Sequence, residues 1–585
     1  MYESWEQYKS GQQATPAENT VWHLYGVGLE TLGRDKTPES RALPQPGPDE
    51  LLARIDAAGL CFSDTKIIKL GGDHPRLYGR DLANDPIIPG HEAAITIIAV
   101  GENRAAKYAV GDRFVVQADI YYKGVNLAFG YMLPGALEQY VIITREVLDG
   151  DDGCYLVPVG KDTGYSEAAL AEPWACVVRA YRDVRRRGLK DGGSAWVIGT
   201  PGSEAHTYRL PGIEYGGVPC RVLLTGVPAQ VEREIGMAAG GGGVDVIVTA
   251  PLAELDVAEM VEKHTGGAGF DDVFILGSGN VEAIEAVDSA LAKRGRMTFV
   301  TDKPFSRGVN LDVGRVHYDD TYYAGARATD PLAAYRPIRD LNPKAGGKTW
   351  IVGGAGPMGQ MHLQMALESP KRPALILVTD IDDDRLATAL ERFADTARDN
   401  GVELASLNPT AMSPDEFDTR LKQIAPEGFD DIIMMAAVPA LITSSCRYLA
   451  DDGMFNVFAG VARGTTAELD GSGIALRGHG YVGSSGSGIE DLAEVIRRAE
   501  KGQLSTNRAV AGIGGMNAAW DGMEAVRDGT FSGKIVIYPQ IADLPLTDID
   551  NLGDVLPDVA AKLGPGKQWT REAEQALLEH FVIDA

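Results

Sequence analysis

"KTWIVGGAGPMGQMHLQMALESPKRPALILVTD", residues 348–380, carries the pattern that decides the fold. An apolar run suited to a strand, KTWIVGG, leads into Gly354, Gly356 and Gly359 at G-x-G-x-x-G spacing. A helical stretch, MHLQMALE, follows, and a second apolar run, ALILVTD, closes on Asp380. Strand, glycine turn, helix, strand and terminal carboxylate, in that order, predict a dinucleotide site. The first glycine permits the tight turn, the second lets backbone approach a pyrophosphate, and the third lets helix and strand pack closely. Asp380 stands where a carboxylate accepts hydrogen bonds from a ribose diol.

The segment has a companion. KAGGKTW at Lys344 is matched by KDGGSAW at Lys190, 154 residues upstream. Under that offset Gly354 falls on Thr200, Gly356 on Gly202, Gly359 on Ala205 and Asp380 on Gly226. Two fingerprint glycines and the carboxylate are therefore missing from the earlier copy. The likeness continues downstream: GFDDVFILG from Gly269 matches GFDDIIMMA from Gly428, and GRMTFVTD from Gly295 matches GMFNVFAG from Gly453. YYAGARAT from Tyr322 lines up with GYVGSSGS from Gly480. Both copies are expected to keep the strand–helix alternation of a doubly wound parallel (Rossmann) sheet, the first of them degenerate. Only the later copy keeps the chemistry for a cofactor.

Composition sets outer bounds. A chain of 585 residues exceeds one core, and 44% hydrophobic with 23% charged residues suits a soluble globular protein. No apolar run approaches the roughly 18 residues that span a bilayer. MYESWEQYKSGQQ lacks the basic start and apolar stretch of a secretory signal. The net charge of −27 opposes binding to nucleic acid or an anionic membrane. Five scattered cysteines without a CxxC pair suit a reducing cytoplasm.

A second informative stretch lies upstream. Cys61 follows a strand-like run in GLCFSD, and IIPGHE places His91 and Glu92 at the start of another strand. Thiolate, imidazole and carboxylate are each good zinc ligands, and three of them leave a fourth position open. Each also has an ordinary reading, Cys61 as a small core residue and His91 as a loop hydrogen-bonder.

GLCFSD, IIPGHE, VGE, VGDRFVV and AEPWACVVRAY together resemble the zinc-dependent medium-chain dehydrogenase/reductase family, in the branch of polyol dehydrogenases and ketose reductases. The resemblance covers about 25–185 and resumes through the cofactor copy to about 540, ending in WDGMEAVRDGTFSGKIVIYP. It implies a GroES-like, β-rich catalytic domain at 1–187, completed by about 505–545. A degenerate Rossmann-like domain at 188–341, an NAD-binding Rossmann domain at 342–504 and a helical tail at 546–585 complete an α/β chain. It further implies that Cys61, His91 and Glu92 bind one catalytic zinc, that Glu172 reaches the metal directly or through water, and that Ser63 relays the substrate proton. Phe62 and Ile95 stand where the family has glycines. The four-cysteine lobe of many relatives is missing, so no structural zinc is expected, and Cys176 reads as core.

The implied reaction is hydride transfer between NAD(H) and a secondary alcohol or ketone of a polyol, sugar or sugar phosphate. Asp380 disfavours NADP, although Arg385 nearby could accommodate a 2′-phosphate. Tyr121, Tyr122, Lys123, Asn126 and Tyr131 are candidates for contacting hydroxyls, and Arg76 and Arg80 for gripping a phosphate. Two other readings compete. One is a redox-neutral epimerase or lyase using tightly bound NAD, the other a retired sensor. Relatives commonly join the edge strands of two nucleotide-binding sheets from two subunits. Here the final strands of the two copies are expected to pair within the chain as an internal pseudo-dimer. A homo-oligomer remains compatible with this.

Overall fold

The computed structural model describes residues 4–12, 16–209, 217–240, 243–326, 329–336 and 339–583. Contacts divide the chain into two units, Met1–Arg179 with Gly486–Ala585, and Ala180–Ser485. Both sequence copies fall in the second unit. The helix Ile489–Glu500, expected with the later copy, belongs to the first.

The first unit is built on an eight-stranded, mostly antiparallel sheet. Its longest strand, Leu51–Leu60, is buried throughout, because it has sheet neighbours on both edges and core on both faces. Even its charges are internal: Arg54 Nε donates to Asp56 Oδ1 at 2.6 Å, and its guanidinium lies 3.7 Å from the Tyr8 ring centroid. Glu92–Val100 runs antiparallel to this strand with Gly59 opposite Glu92. That register brings the end of one strand, where Cys61 follows, beside the start of the next, which His91 precedes. Ligand candidates thirty residues apart in sequence thus meet at one sheet end. The returning segment adds the strands Val510–Gly515 and Lys534–Tyr538, and Trp22, Trp520 and Ile537 share the core. The tail is part of this core as well: Trp569 is fully buried and donates to Tyr538 Oη at 2.9 Å.

The second unit contains one continuous twelve-stranded sheet. In the earlier copy the parallel order is Asp245–Thr249, Arg221–Thr225, Ser194–Gly199, Phe270–Leu276, Leu291–Val300 and Tyr322–Ala326. The later copy repeats that order in reverse across the sheet, from Gly480–Gly483 through Leu449–Val457, Phe429–Met434, Lys348–Val352 and Leu375–Thr379 to Glu403–Leu407. The halves join antiparallel, Tyr323 opposite Tyr481, so the expected internal pairing of final strands is present. Arg327 and Ala328 of the quoted YYAGARAT lie outside the described residues. A second antiparallel pair, Val309–Asp312 with Thr466–Leu469, spans the same seam. One apolar cluster runs through both copies, from Trp196 and Phe270 to Tyr323, Tyr481, Phe455 and Trp350.

The duplication extends to individual hydrogen bonds. Trp196 Nε1 donates to Thr225 Oγ1 at 2.8 Å, and Trp350 Nε1 donates to Thr379 Oγ1 at 2.9 Å. Lys190 Nζ reaches Asp271 at 2.7 Å as Lys344 Nζ reaches Asp430 at 2.5 Å. One expectation fails. Between Ser194–Gly199 and Arg221–Thr225 the described residues contain only the short turn Ser203–Ala205, where the later copy has the helix Pro357–Glu368. TPGSEAHTY has a proline, polar residues and no apolar period, so it cannot present the face such a helix buries. Among the described residues no helix is long and apolar enough to cross a membrane.

Candidate metal and dinucleotide sites

Ligand atoms of Cys61, His91 and Glu92 all lie within 4.8 Å of one another. Cys61 caps the helix Phe62–Leu70, and the Asp64 carboxylate of its first turn accepts from the Cys61 backbone N–H at 3.1 Å. The other Asp64 oxygen lies 2.9 Å from His91 Nδ1. This contact holds the ring so that Nε2 faces Cys61. Ser63 Oγ donates to Cys61 Sγ at 3.0 Å and lies 3.2 Å from His91 Nε2. Glu92 is fully buried. Lys534 Nζ donates to its Oε1 at 2.5 Å and to the Leu60 carbonyl at 2.7 Å. Its Oε2 has no hydrogen-bond partner. An orphaned carboxylate oxygen beside a thiol and an oriented imidazole is the donor set a zinc ion satisfies. Gly59 leaves room for it, since a Cβ there would collide with Oε2.

Glu172, on the helix Ala171–Ala180, is buried but outside the three-residue cluster. Burial pushes its carboxyl up to about 7; nearby His91 opposes the shift, while Glu92 and Asp119 add to it. Cys176, one turn on, is partly buried. Burial and then Glu172, Asp119 and Cys61 push its thiol up.

The candidate substrate contacts separate. Tyr131 is buried with its ring centroid 6.1 Å from that of His91. Arg76 pairs with Asp119 at 2.7 Å and lies 5.3 Å from the Tyr131 centroid, so both stay with the cluster. Arg80 is committed to its own loop through Asp85 and the carbonyls of Pro86 and Met132. Tyr121, Tyr122 and Asn126 form a small hairpin whose Tyr121 side is exposed, with Lys123 at its turn. Phe62 is exposed and Ile95 is core, so neither departure from the family's glycines disturbs the cluster.

In the second unit the later copy forms the glycine turn. The left-handed backbone falls on Gly353 (φ +71°), one residue before the position expected to need it. Gly354 is required for space, since a Cβ would press on Ile351 and Val378. A Cβ at Gly359 would collide with the Gly354 carbonyl, the close helix approach expected of the third glycine. Gly356 caps the helix Pro357–Glu368 and faces open space within 4 Å. The start of this helix therefore has open space beside a glycine backbone, the geometry that suits an anion at a helix N-terminus. Asp380 accepts from the Ala355 N–H at 3.1 Å and the Ile381 N–H at 2.9 Å, placing its carboxylate at the rim of that space. Arg385 leans toward Asp382, 3.9 Å away.

The corresponding place in the earlier copy is filled by its own chain. Thr200 Oγ1 donates to the Leu276 carbonyl at 2.9 Å, and a Cβ on Gly279 would strike the Pro201 carbonyl. Gly226 offers no carboxylate.

Asp64 and Lys534 were not singled out in the sequence. Asp64 carried a signal, lying in the quoted GLCFSD. Lys534 carried only a lysine opening an apolar run, KIVIY, 442 residues from Glu92.

The alcohol dehydrogenase GroES-like domain family matches residues 47–149. Mannitol-1-phosphate 5-dehydrogenase of Aliivibrio fischeri is 30% identical over 299 residues, covering 47% of this chain and 70% of that protein. L-Sorbose 1-phosphate reductase of Klebsiella pneumoniae is 24% identical over 568 residues, covering 96% of this chain and 97% of that one. A solved alcohol dehydrogenase from Thermotoga maritima superposes with a TM-score of 0.50 at 13% identity, over 90% of this chain and 100% of that chain, a likeness of fold.

Proposed function

The chain belongs to the zinc-dependent medium-chain dehydrogenase/reductase family, in its polyol dehydrogenase branch, and is an oxidoreductase; on that premise we propose that it moves hydride between NAD(H) and a secondary alcohol or ketone of a polyol or sugar phosphate. The observation that carries this reading is the meeting of Cys61, His91 and the unpartnered Glu92 Oε2 at one sheet end. Two relatives whose names specify phosphorylated polyols or ketoses support the substrate class.

Cys61 Sγ, His91 Nε2 and Glu92 Oε2 would hold one zinc, with Glu172 beside it. When bound, zinc supplies a Lewis acid for the substrate oxygen, and the nicotinamide ring accepts or gives the hydride. Asp64 fixes the His91 ring, and Lys534 balances the charge on the remaining Glu92 oxygen. Ser63 Oγ relays the proton of the substrate hydroxyl, accepting it while its own hydroxyl proton passes toward solvent, and in the reverse direction the relay runs backwards. Gly354, Gly356 and Gly359 seat the pyrophosphate at the helix start, and Asp380 binds the ribose diol, favouring NAD over NADP. The free cysteines suit a cytoplasmic setting.

The test is an assay of the full chain against polyols, ketoses and their phosphates, followed by NADH absorbance, with metal analysis of the same sample. Expected are NAD-dependent turnover of a phosphorylated substrate and one zinc per chain, both lost in Cys61→Ser. Turnover without net NADH supports the redox-neutral alternative instead. A zinc-free active enzyme overturns the reading.

A further inference from the structure

The second unit contains a cavity of about 360 Å³ in which Arg185, Arg186, Arg187, Arg296, Arg336 and Arg339 are gathered. The chain as a whole carries a charge of −27, so six guanidiniums in one cavity need an explanation. Several have structural partners. Asp183 holds Arg185 and Arg187, Asp272 holds Arg186, and Asp431 holds Arg339. Asp452 is a further carboxylate in the wall. Among the described residues, six guanidiniums and one carboxylate, Asp452, thus line the cavity.

Arg296 is the exception that decides the matter. It is only 6% exposed and forms no ion pair with a described residue; the nearby Asp272 carboxylate, which acts on it, is already held by Arg186 and Tyr335. Its terminal nitrogens donate to the carbonyls of Arg186 and Ala334, and its Nε has no partner. Its guanidinium lies between the rings of Tyr322 and Tyr335, 4.8 Å and 4.3 Å from their centroids. A buried guanidinium without an ion-pair partner of its own is costly, and burial holds its affinity for the proton below the ordinary arginine value despite the field of Asp272. The fold does not demand it. Arg296 sits opposite Asp272 and Tyr322 in the sheet, and its counterpart Met454 sits opposite Asp431 and Gly480 in the same pattern. Where one copy has a thioether, the other has placed a charge.

We propose that this cavity is a binding site for a phosphoryl group, carried by inorganic phosphate or by a small phosphomonoester. The described lining carries more guanidiniums than carboxylates, and guanidinium forks match the oxygens of a phosphate dianion. Arg296 already occupies the space beside both tyrosine rings, so recognition is of the anion and not of a stacked base. All lining residues belong to 180–485, and none is a member of the Cys61–His91–Glu92 cluster or the glycine turn.

The test is calorimetric titration of the full chain with inorganic phosphate, glycerol 3-phosphate and, as the neutral arm, glycerol. Excess NADH is present throughout to occupy the dinucleotide fold. Expected is saturable binding of the phosphorylated probes, tighter for whichever matches the natural source, and no binding of glycerol. Arg296→Met, which copies the residue of the other repeat, should weaken binding at least tenfold while NADH affinity is unchanged. Arg187→Gln, at a side chain 57% exposed and away from the core, should weaken it a few-fold without threatening the fold. Phosphate affinity equal in wild type and both variants, or no binding at millimolar probe, overturns the proposal.

Discussion

Tyr323 lies directly opposite Tyr481 across the antiparallel seam, and the two are counterparts in the repeat. A residue paired with its own counterpart marks a local twofold axis, here relating two halves of one chain. The glycines two residues further on obey the same symmetry. A Cβ on Gly325 would collide with the Ile474 carbonyl, and one on Gly483 would press on the Val316 carbonyl at 2.7 Å. Gly325→Val should therefore destabilise the second unit by about 1–3 kcal/mol through overpacking. Denaturant unfolding followed by hydrogen exchange should locate the loss at 309–326 and 466–483. Unchanged protection there would reject the seam as a close backbone contact.

Lys534→Met removes the only cation among the described residues bonded to Glu92 while leaving the carboxylate buried. Breaking one side of a buried pair costs about 3–5 kcal/mol. The loss should be largest in chelator-treated protein and smaller when zinc is supplied, because a bound cation substitutes for the ammonium. Equal losses with and without zinc would show that Glu92 does not face the metal.

Asp64→Asn should lower zinc affinity about 10–100-fold, the usual penalty for disturbing a partner that orients a ligand. Competition with a metal-binding dye measures it. Gly59→Ala should do likewise by displacing Glu92 Oε2.

Asp380→Ala should weaken NAD binding and narrow the preference against NADP, with one nucleotide bound per chain. Fluorescence titration with both dinucleotides checks this; a second NAD site lost on changing Thr200 would contradict a single-copy assignment.

His362, in the helix behind the glycine turn, is fully buried, and burial lowers its pKa from 6.5 to about 3. Its Nδ1 lies 2.7 Å from Tyr181 Oη. The folded state thus favours the neutral ring, while the unfolded chain protonates near 6.5. This contribution to stability is complete above pH 6.5 and is lost as pH falls toward 3, with a slope approaching about 1.4 kcal/mol per pH unit. His362→Gln, which can still accept from Tyr181, should flatten the acid limb of the stability profile relative to wild type.

Much of this arrangement was legible because local patterns carry it. The glycine turn, Asp380 and the repeated GFDD blocks are contiguous signals, and each reports a strand, a turn or a cap. Cys61, His91 and Glu92 became one cluster only through the Gly59–Glu92 register, a long-range pairing that spacing does not encode. Lys534 depends on a strand returning from the far end of the sequence. That the described residues of the earlier copy's crossover hold no long helix was hidden by the aligned offset. AWVIG still makes its strand, and the likeness on either side masked the prolines and polar residues between. Arg296 was hidden for the opposite reason: inside GRMTFVTD it looks like one exposed residue of a strand.

A seam encoded within one chain also changes what a single mutation does. In a symmetric dimer of identical chains every interface substitution occurs twice, once on each side of the axis. Here it occurs once, so the two sides are inherited separately and can specialise. The same strand position can then hold a buried guanidinium at Arg296 and a thioether at Met454, giving a near-symmetric framework a lopsided charge that no pair of identical subunits could carry.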